Sequence, residues 1–265
     1  MKFKYKLILC SVLIALLSWQ FFRYVDYVLN VITPESFAFD FETIAVVNFV
    51  VLVSIISLAL AMFREKKWAL VTAGIVGLIF IALFGANYIN LIGVGVVALL
   101  FLYARFAGVE EIDQRTKVNS RMIVRRGAIG VVLAFFVLIS FVAYQSPVAT
   151  GIANAERLPT ASQQLLRSVV NGVIGGQIET DEQERESIIS EVVGRTFQQI
   201  NNALKPYFKY TPPLLAFGLF LILWGLSWFF IQLSVFVGMG IFWVLKRTGF
   251  VKIEETEVKA ERLII

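Results

Sequence analysis

The longest uncharged stretch of this chain is Pro213–Leu245, thirty-three residues without an Asp, Glu, Lys or Arg. Lys209 precedes the stretch and Lys246 follows it. A helix of this length measures about 50 Å at 1.5 Å per residue, whereas the hydrocarbon core of a bilayer is about 30 Å thick. The stretch therefore predicts a membrane span that tilts, bends near Gly238–Gly240, or continues beyond the bilayer as a packed helix.

Five more apolar runs precede this one, in a chain that is 58% hydrophobic and only 16% charged. We expect spans at 7–22, 43–63, 68–85, 91–107 and 127–144. No small-residue cleavage pattern follows the first run, so it is expected to stay as a span rather than to be removed as a signal peptide. The sequence thus predicts an all-α integral membrane protein, a six-span helical bundle with five spans in residues 1–145 and the long sixth span plus a short tail in 213–265.

Charge is distributed unevenly between the segments that join these spans. The N-terminus, the turn at 64–67, the loop at 105–126 and the tail carry 17 basic and 8 acidic residues, whereas segments 23–42 and 145–212 carry 7 and 11. Loops rich in Lys and Arg remain on the cytoplasmic side of a membrane. We therefore expect a plasma-membrane protein with both termini cytoplasmic and residues 146–212 extracytoplasmic.

The exported segment is predicted to form an amphipathic αα-hairpin of two helices, over 160–174 and 180–205. Each begins with a Thr-x-x-Gln capping box, and Pro206 ends the second. One face of the second helix carries apolar residues spaced by four, four, three and four positions: Ile189, Val193, Phe197, Ile200 and Leu204. This is our candidate partner-binding face, for a protein partner or a second copy. The alternative is that the face packs against the protein's own spans.

Two sets of residues within the spans are candidates for helix packing. Ala69, Ala73 and Gly77 are spaced by four positions, and small residues at this spacing let two helix backbones approach closely. Asn48 and Gln232 can form hydrogen bonds between helices, and a polar constriction between the two is the alternative.

The sequence offers few groups for catalysis. It contains no histidine, and no charged residue lies centrally in any apolar run. Ser227 lacks an embedded lysine or a histidine to act as its base. No metal-binding, phosphate-binding or dinucleotide-binding motif is present. We therefore expect a protein that is not an enzyme, with no cofactor, no metal and no nucleic-acid partner.

Two other functions remain open. The first is a channel or permease for small or apolar solutes, with a path lined by glycine and serine. The second is a lipid-modifying enzyme, for which the predicted exported segments offer scattered carboxylates: Asp40, Glu42, Glu156 and Asp181.

The C-terminal tail has a pattern of its own. Gly249–Glu254, then Val258–Leu263, follow a long span rich in aromatic residues. This ending resembles that of some uncharacterised bacterial and archaeal multi-pass membrane proteins. The resemblance covers the last fifth of the chain and implies no activity.

Overall fold

The computed structural model describes residues 3–31, 43–113, 119–153, 166–171 and 182–251. Within these ranges the chain is helical and contains no strand. Six helices are long and apolar enough to cross a membrane, as the sequence predicts. The protein is therefore an α-helical, membrane-embedded chain with six candidate spans.

The described helices have the following bounds. They are α1 (Phe3–Val31), α2 (Thr43–Met62), α3 (Lys66–Phe84), α4 (Tyr88–Asp113), α5 (Ser120–Tyr144), α6 (Pro147–Ala153), α7 (Glu182–Leu204), a 3₁₀ helix (Lys205–Tyr210) and α8 (Thr211–Arg247). Residues 166–171 are also helical.

Three helix ends lie six or more residues from the sequence expectation. Helix α1 continues to Val31, nine residues past the predicted span and into the predicted 23–42 loop. Its apolar spacing explains this, because Val25 is buried like Phe21 and Phe22 before it. Likewise α4 continues to Asp113 and α5 begins at Ser120, so both ends of the predicted 105–126 loop are helical. Charged residues need not end a helix where it leaves the membrane.

The connection between α3 and α4 is a tight turn. Gly85 has a φ of 87°, which favours glycine, and its N–H donates to the Ile81 carbonyl. The Asn87 side-chain oxygen accepts from the Asn90 N–H at 2.9 Å and so caps α4. The buried Asn90 amide in turn donates to the carbonyls of Phe84 and Gly85. Three side-chain hydrogen bonds therefore satisfy the helix ends at this turn.

The described residues form two compact units. The larger contains residues up to 26, residues 43–141 and residues from 220 onward. The smaller contains residues 27–31 together with the described residues between 142 and 219, a range close to the predicted exported segment.

Phenylalanine rings fill the core of the larger unit. They come from α1, α2, α3, α5 and α8, with centroids 5.0–6.2 Å apart: Phe21, Phe22, Phe49, Phe80, Phe84, Phe135, Phe136 and Phe230. Phe49 of α2 lies among four of the others. Such ring pairs stabilise by about 0.5–1.5 kcal/mol beyond the area they bury. The phenylalanine cluster therefore ties five of the six candidate spans together.

The sixth candidate span, α8, is one continuous helix from Thr211 to Arg247. A re-entrant hairpin, which would need a turn inside this stretch, is therefore not formed. A Cβ added at Gly238 would lie 2.7 Å from Val124 of α5, so glycine permits a close contact between the two helices. The bend near Gly238–Gly240 stays a prediction.

Candidate functional site

The predicted partner-binding face on α7 divides into a buried and an exposed part. Ile189 and Val193 are buried in a cluster with Val170 of the helical segment 166–171. Leu166 and Val192 pack against the same cluster. The two amphipathic segments of the predicted hairpin therefore contact each other through part of the predicted face.

The rest of the face is more exposed. Phe197 is half-buried, and Ile200 is 37% exposed. The side chain of Leu204 lies outside the described residues, as do the residues that join 166–171 to α7. Val169, on the other segment, is also exposed. Apolar surface therefore remains at Phe197, Ile200 and Val169 after the two segments have packed together.

The opposite side of α7 is polar. Glu191 and Arg195 form an ion pair at 2.6 Å, one helical turn apart, with both side chains exposed. An exposed pair at this spacing contributes about 0.3–0.5 kcal/mol. The ion pair stabilises α7 slightly. The apolar face on the other side of α7 is the more distinctive surface of this helix.

The small residues predicted to pack helices lie at buried positions. Ala69 and Ala73 of α3 are each 1% exposed. A Cβ added at Gly77 would lie 2.5 Å from the Val94 side chain of α4. Gly127 of α5 shows the same type of contact with Ser57 of α2, which the sequence did not single out. The closest contacts between these helices therefore involve residues without a large side chain.

Asn48 joins α2 to α1. Its side-chain nitrogen donates to the Leu17 carbonyl at 3.4 Å, while its buried side-chain oxygen has no hydrogen-bond partner among the described residues. Gln232, the predicted partner across the bundle, is partly buried in α8. A pairing of Asn48 with Gln232 stays a prediction.

A second polar contact joins α2 to α8. The Ser54 hydroxyl lies 2.6 Å from the Val50 carbonyl and 2.9 Å from the Ser234 carbonyl, so it can donate to either. The Ser234 and Ser18 hydroxyls are buried and have no partner among the described residues. Polar side chains thus occur at the contacts of α2 with both α1 and α8. The role of Ser54 could not be predicted, because nothing in the sequence distinguishes it from the other serines of the spans.

One end of the larger unit collects basic side chains. Arg64, in the turn between α2 and α3, forms an ion pair with Asp113 at the end of α4. The Arg105 guanidinium donates a hydrogen bond to the backbone carbonyl of Arg64. At the start of α1, Lys6 donates to the carbonyl of Phe250, just after α8, and lies 4.9 Å from its ring. The start of α1 and the end of α8 therefore meet. Six membrane crossings agree with this contact, because an even number of crossings leaves both chain ends on the same side.

Further charged contacts at this end link α4 to α5. Arg126, near the start of α5, approaches Glu111, near the end of α4, at 3.7 Å. Across the described ranges, no group of three or more Cys, His, Asp or Glu residues is placed to hold a metal ion. The ion pairs of Arg64 with Asp113 and of Arg126 with Glu111 thus connect the ends of neighbouring helices.

Comparison of this chain with models of known protein families, with curated proteins and with solved structures gave no match.

Proposed function

We propose that this chain is a non-enzymatic, multi-pass plasma-membrane protein. It displays an extracytoplasmic helical hairpin that binds a protein partner or a second copy. Both termini are cytoplasmic in this proposal, and the hairpin lies in residues 146–212.

The orientation is supported by the charge distribution. The segments assigned to the cytoplasm carry 17 basic and 8 acidic residues, and those assigned to the opposite side carry 7 and 11. Contacts of Lys6 with Phe250 and of Arg64 with Asp113 join helix ends that belong to the basic segments. The proposed cytoplasmic segments thus contact one another in two separate places.

The binding role rests on one observation, the apolar surface left at Phe197 and Ile200 after Ile189 and Val193 have packed against Val170. Apolar surface in water costs about 25 cal/mol per Å². A helical partner suits the spacing of this face, and the acidic start of the second helix suits an anionic leaflet poorly.

The experiment compares two variants of the same helix. Ile200→Glu places a charge on the exposed part of the face, and we expect it to leave the protein inserted but to abolish its crosslinks to a partner or second copy. Val193→Glu buries a charge in the cluster with Val170, and we expect the protein to be degraded or its hairpin to be cleaved by added protease.

Two results would contradict the proposal. If Ile200→Glu crosslinks like the parent protein, the exposed face is not an interaction surface. If it is degraded like Val193→Glu, the face belongs to the fold, and packing against the protein's own spans is the better interpretation.

A second candidate function, a channel or permease for small solutes, is favoured by the buried polar atoms. The Ser18 hydroxyl, the Asn48 side-chain oxygen and the Ser234 hydroxyl have no partner among the described residues. The phenylalanine cluster argues against it, because rings occupy the interior that a path would need. Solute flux into liposomes that is lost in Asn48→Leu would favour transport over partner binding.

A further inference from the structure

Two arginines at the start of α5 carry charge that the described part of the chain does not neutralise. Elsewhere at this end of the larger unit, ion pairs with carboxylates engage Arg64 and Arg126. The side chains of Arg121 and Arg125 are exposed, and they form no ion pair or hydrogen bond within the described ranges. These two guanidinium groups are therefore open to an anion from outside the described chain.

The position of the two arginines on α5 is electrostatically unfavourable. Arg121 and Arg125 are four positions apart and share one face of the helix, and like charges at this spacing destabilise a helix. Both lie in the first two turns of α5, which begins at Ser120 and has no acidic residue in its first turn. The N-terminal end of a helix carries a partial positive charge that disfavours cations. An anion beside the two arginines offsets both effects.

Helix α8 ends on the same side of the larger unit and brings a further cation. A Cβ added at Gly238 would lie 2.7 Å from Val124, and the rings of Phe136 and Phe230 have centroids 5.8 Å apart. The residue number falls along α5 while it rises along α8, so the two helices are antiparallel. Lys246, in the last turn of α8, is therefore at the same end as the two arginines, and its side chain is exposed.

The face of α5 that carries the arginines continues as an apolar surface. Ile129, one turn after Arg125, is 41% exposed, and Leu133 is half-buried one turn further on. Residues 127–144 contain no charge. On α8, the exposed Trp243 ring lies 5.3 Å from Arg247, and tryptophan is enriched at the level of lipid headgroups. The arginines thus lie where headgroups lie, and the exposed apolar residues after them lie where acyl chains lie.

We propose that Arg121 and Arg125 bind the phosphate of an anionic phospholipid, such as phosphatidylglycerol, whose acyl chains cover Ile129. Guanidinium groups bind phosphate oxygens through paired, charge-assisted hydrogen bonds. Basic residues next to a membrane span attract anionic lipids, and Lys246 adds to this attraction. Free phosphate has the same charge but no acyl chain, so the apolar surface that follows the arginines favours a lipid. The site is separate from the α7 face and does not depend on it.

Native mass spectrometry of the full chain in detergent micelles tests the site. Dioleoyl phosphatidylglycerol and dioleoyl phosphatidylcholine compete at equal concentration, and the ratio of the two bound forms is measured. We expect the parent protein to prefer phosphatidylglycerol. Arg121→Gln and Arg125→Gln should each lower the ratio about fivefold, and the double variant about 25-fold.

The matched control is Lys66→Gln with Lys67→Gln, which removes the same net charge from exposed positions at the start of α3. We expect this control to leave the ratio unchanged. In micelles without added lipid, the double arginine variant should unfold at a temperature no lower than the parent, because it loses the repulsion between the two arginines. A lower unfolding temperature would mean that the arginines stabilise the fold itself, which would overturn the proposal.

Three other results would also overturn it. The first is a parent protein without a preference for phosphatidylglycerol, or an equal loss of preference in the control. The second is displacement of the lipid by inorganic phosphate, which would make the site one for a free anion. The third is a preference that arises only when the glutamates of the tail, Glu254, Glu255, Glu257 and Glu261, are changed to glutamine, which would make the tail the partner of the arginines.

Discussion

Helices α2 and α8 have similar apolar sequences but opposite surroundings. Neither Thr43–Met62 nor Thr211–Leu245 contains a charged residue, yet twelve of the 20 residues of α2 are buried and only three of the 37 residues of α8. Hydropathy does not separate the two because lipid and protein interior suit an apolar side chain equally. Buried polar residues differ only in number, since α2 buries Asn48, Ser54 and Ser57 and α8 buries Ser234. Polar side chains avoid lipid, so the larger buried set is in keeping with α2 at the centre.

Replacing a phenylalanine by alanine is expected to give the largest difference in stability between variants of α2 and variants of α8. Phe49 of α2 contacts four other rings, and Phe49→Ala should lower the free energy of unfolding by about 3–5 kcal/mol. Phe236 of α8 is 66% exposed, and Phe236→Ala should change it by less than about 0.5 kcal/mol. Reversible unfolding in mixed micelles measures both. Equal losses would mean that α8 is as well packed as α2.

Replacing a glycine by leucine is expected to give a smaller difference in stability between the centre of the larger unit and α8. A Cβ at Gly127 would lie 3.1–3.3 Å from Ser57 atoms of α2, including its backbone, so Gly127→Leu should force α2 and α5 apart and cost about 1–3 kcal/mol. A Cβ at Gly240 of α8 would meet no atom within 4 Å, so Gly240→Leu should be tolerated. Thermal unfolding of the two variants side by side is the measurement. A destabilised Gly240→Leu together with a neutral Gly127→Leu would reverse the assignment of centre and periphery.

The smallest effect concerns the hydroxyl that joins the two helices. Ser54→Ala removes the contact with the Ser234 carbonyl and should cost about 0.6 kcal/mol, the average for such hydrogen bonds in membranes. Ser227→Ala, at a partly exposed position of α8, is its control. If both serine variants unfold at the same temperature, the Ser54 hydroxyl does not hold α8 against α2.

The sequence predicts the spans more accurately than their arrangement. Apolar runs identify all six candidate spans. The sequence places the end of α1 too early, because Arg23 and Asp26 suggest a loop although the apolar spacing continues through Val25. Charge alone is thus a weak signal for a helix end.

The candidate site is predictable in part. The spacing of Ile189 and Val193 predicts an apolar face on α7, and the structure places these two residues against Val170. Which part of the face stays exposed depends on contacts between distant segments, so the sequence could not separate Ile200 from Val193. The contact of Lys6 with Phe250 cannot be predicted from the sequence for the same reason, since 244 positions separate the two residues.

In the proposed topology, the basic helix ends face the cytoplasm and the α7 segment faces the opposite side. A reporter enzyme fused after Glu110 and one inserted near Gly176 test it most directly. We expect the Glu110 fusion to report the cytoplasm and the Gly176 insertion to report the exported side. Both reporters on one side of the membrane would contradict the six-span arrangement and the proposed binding role of the hairpin.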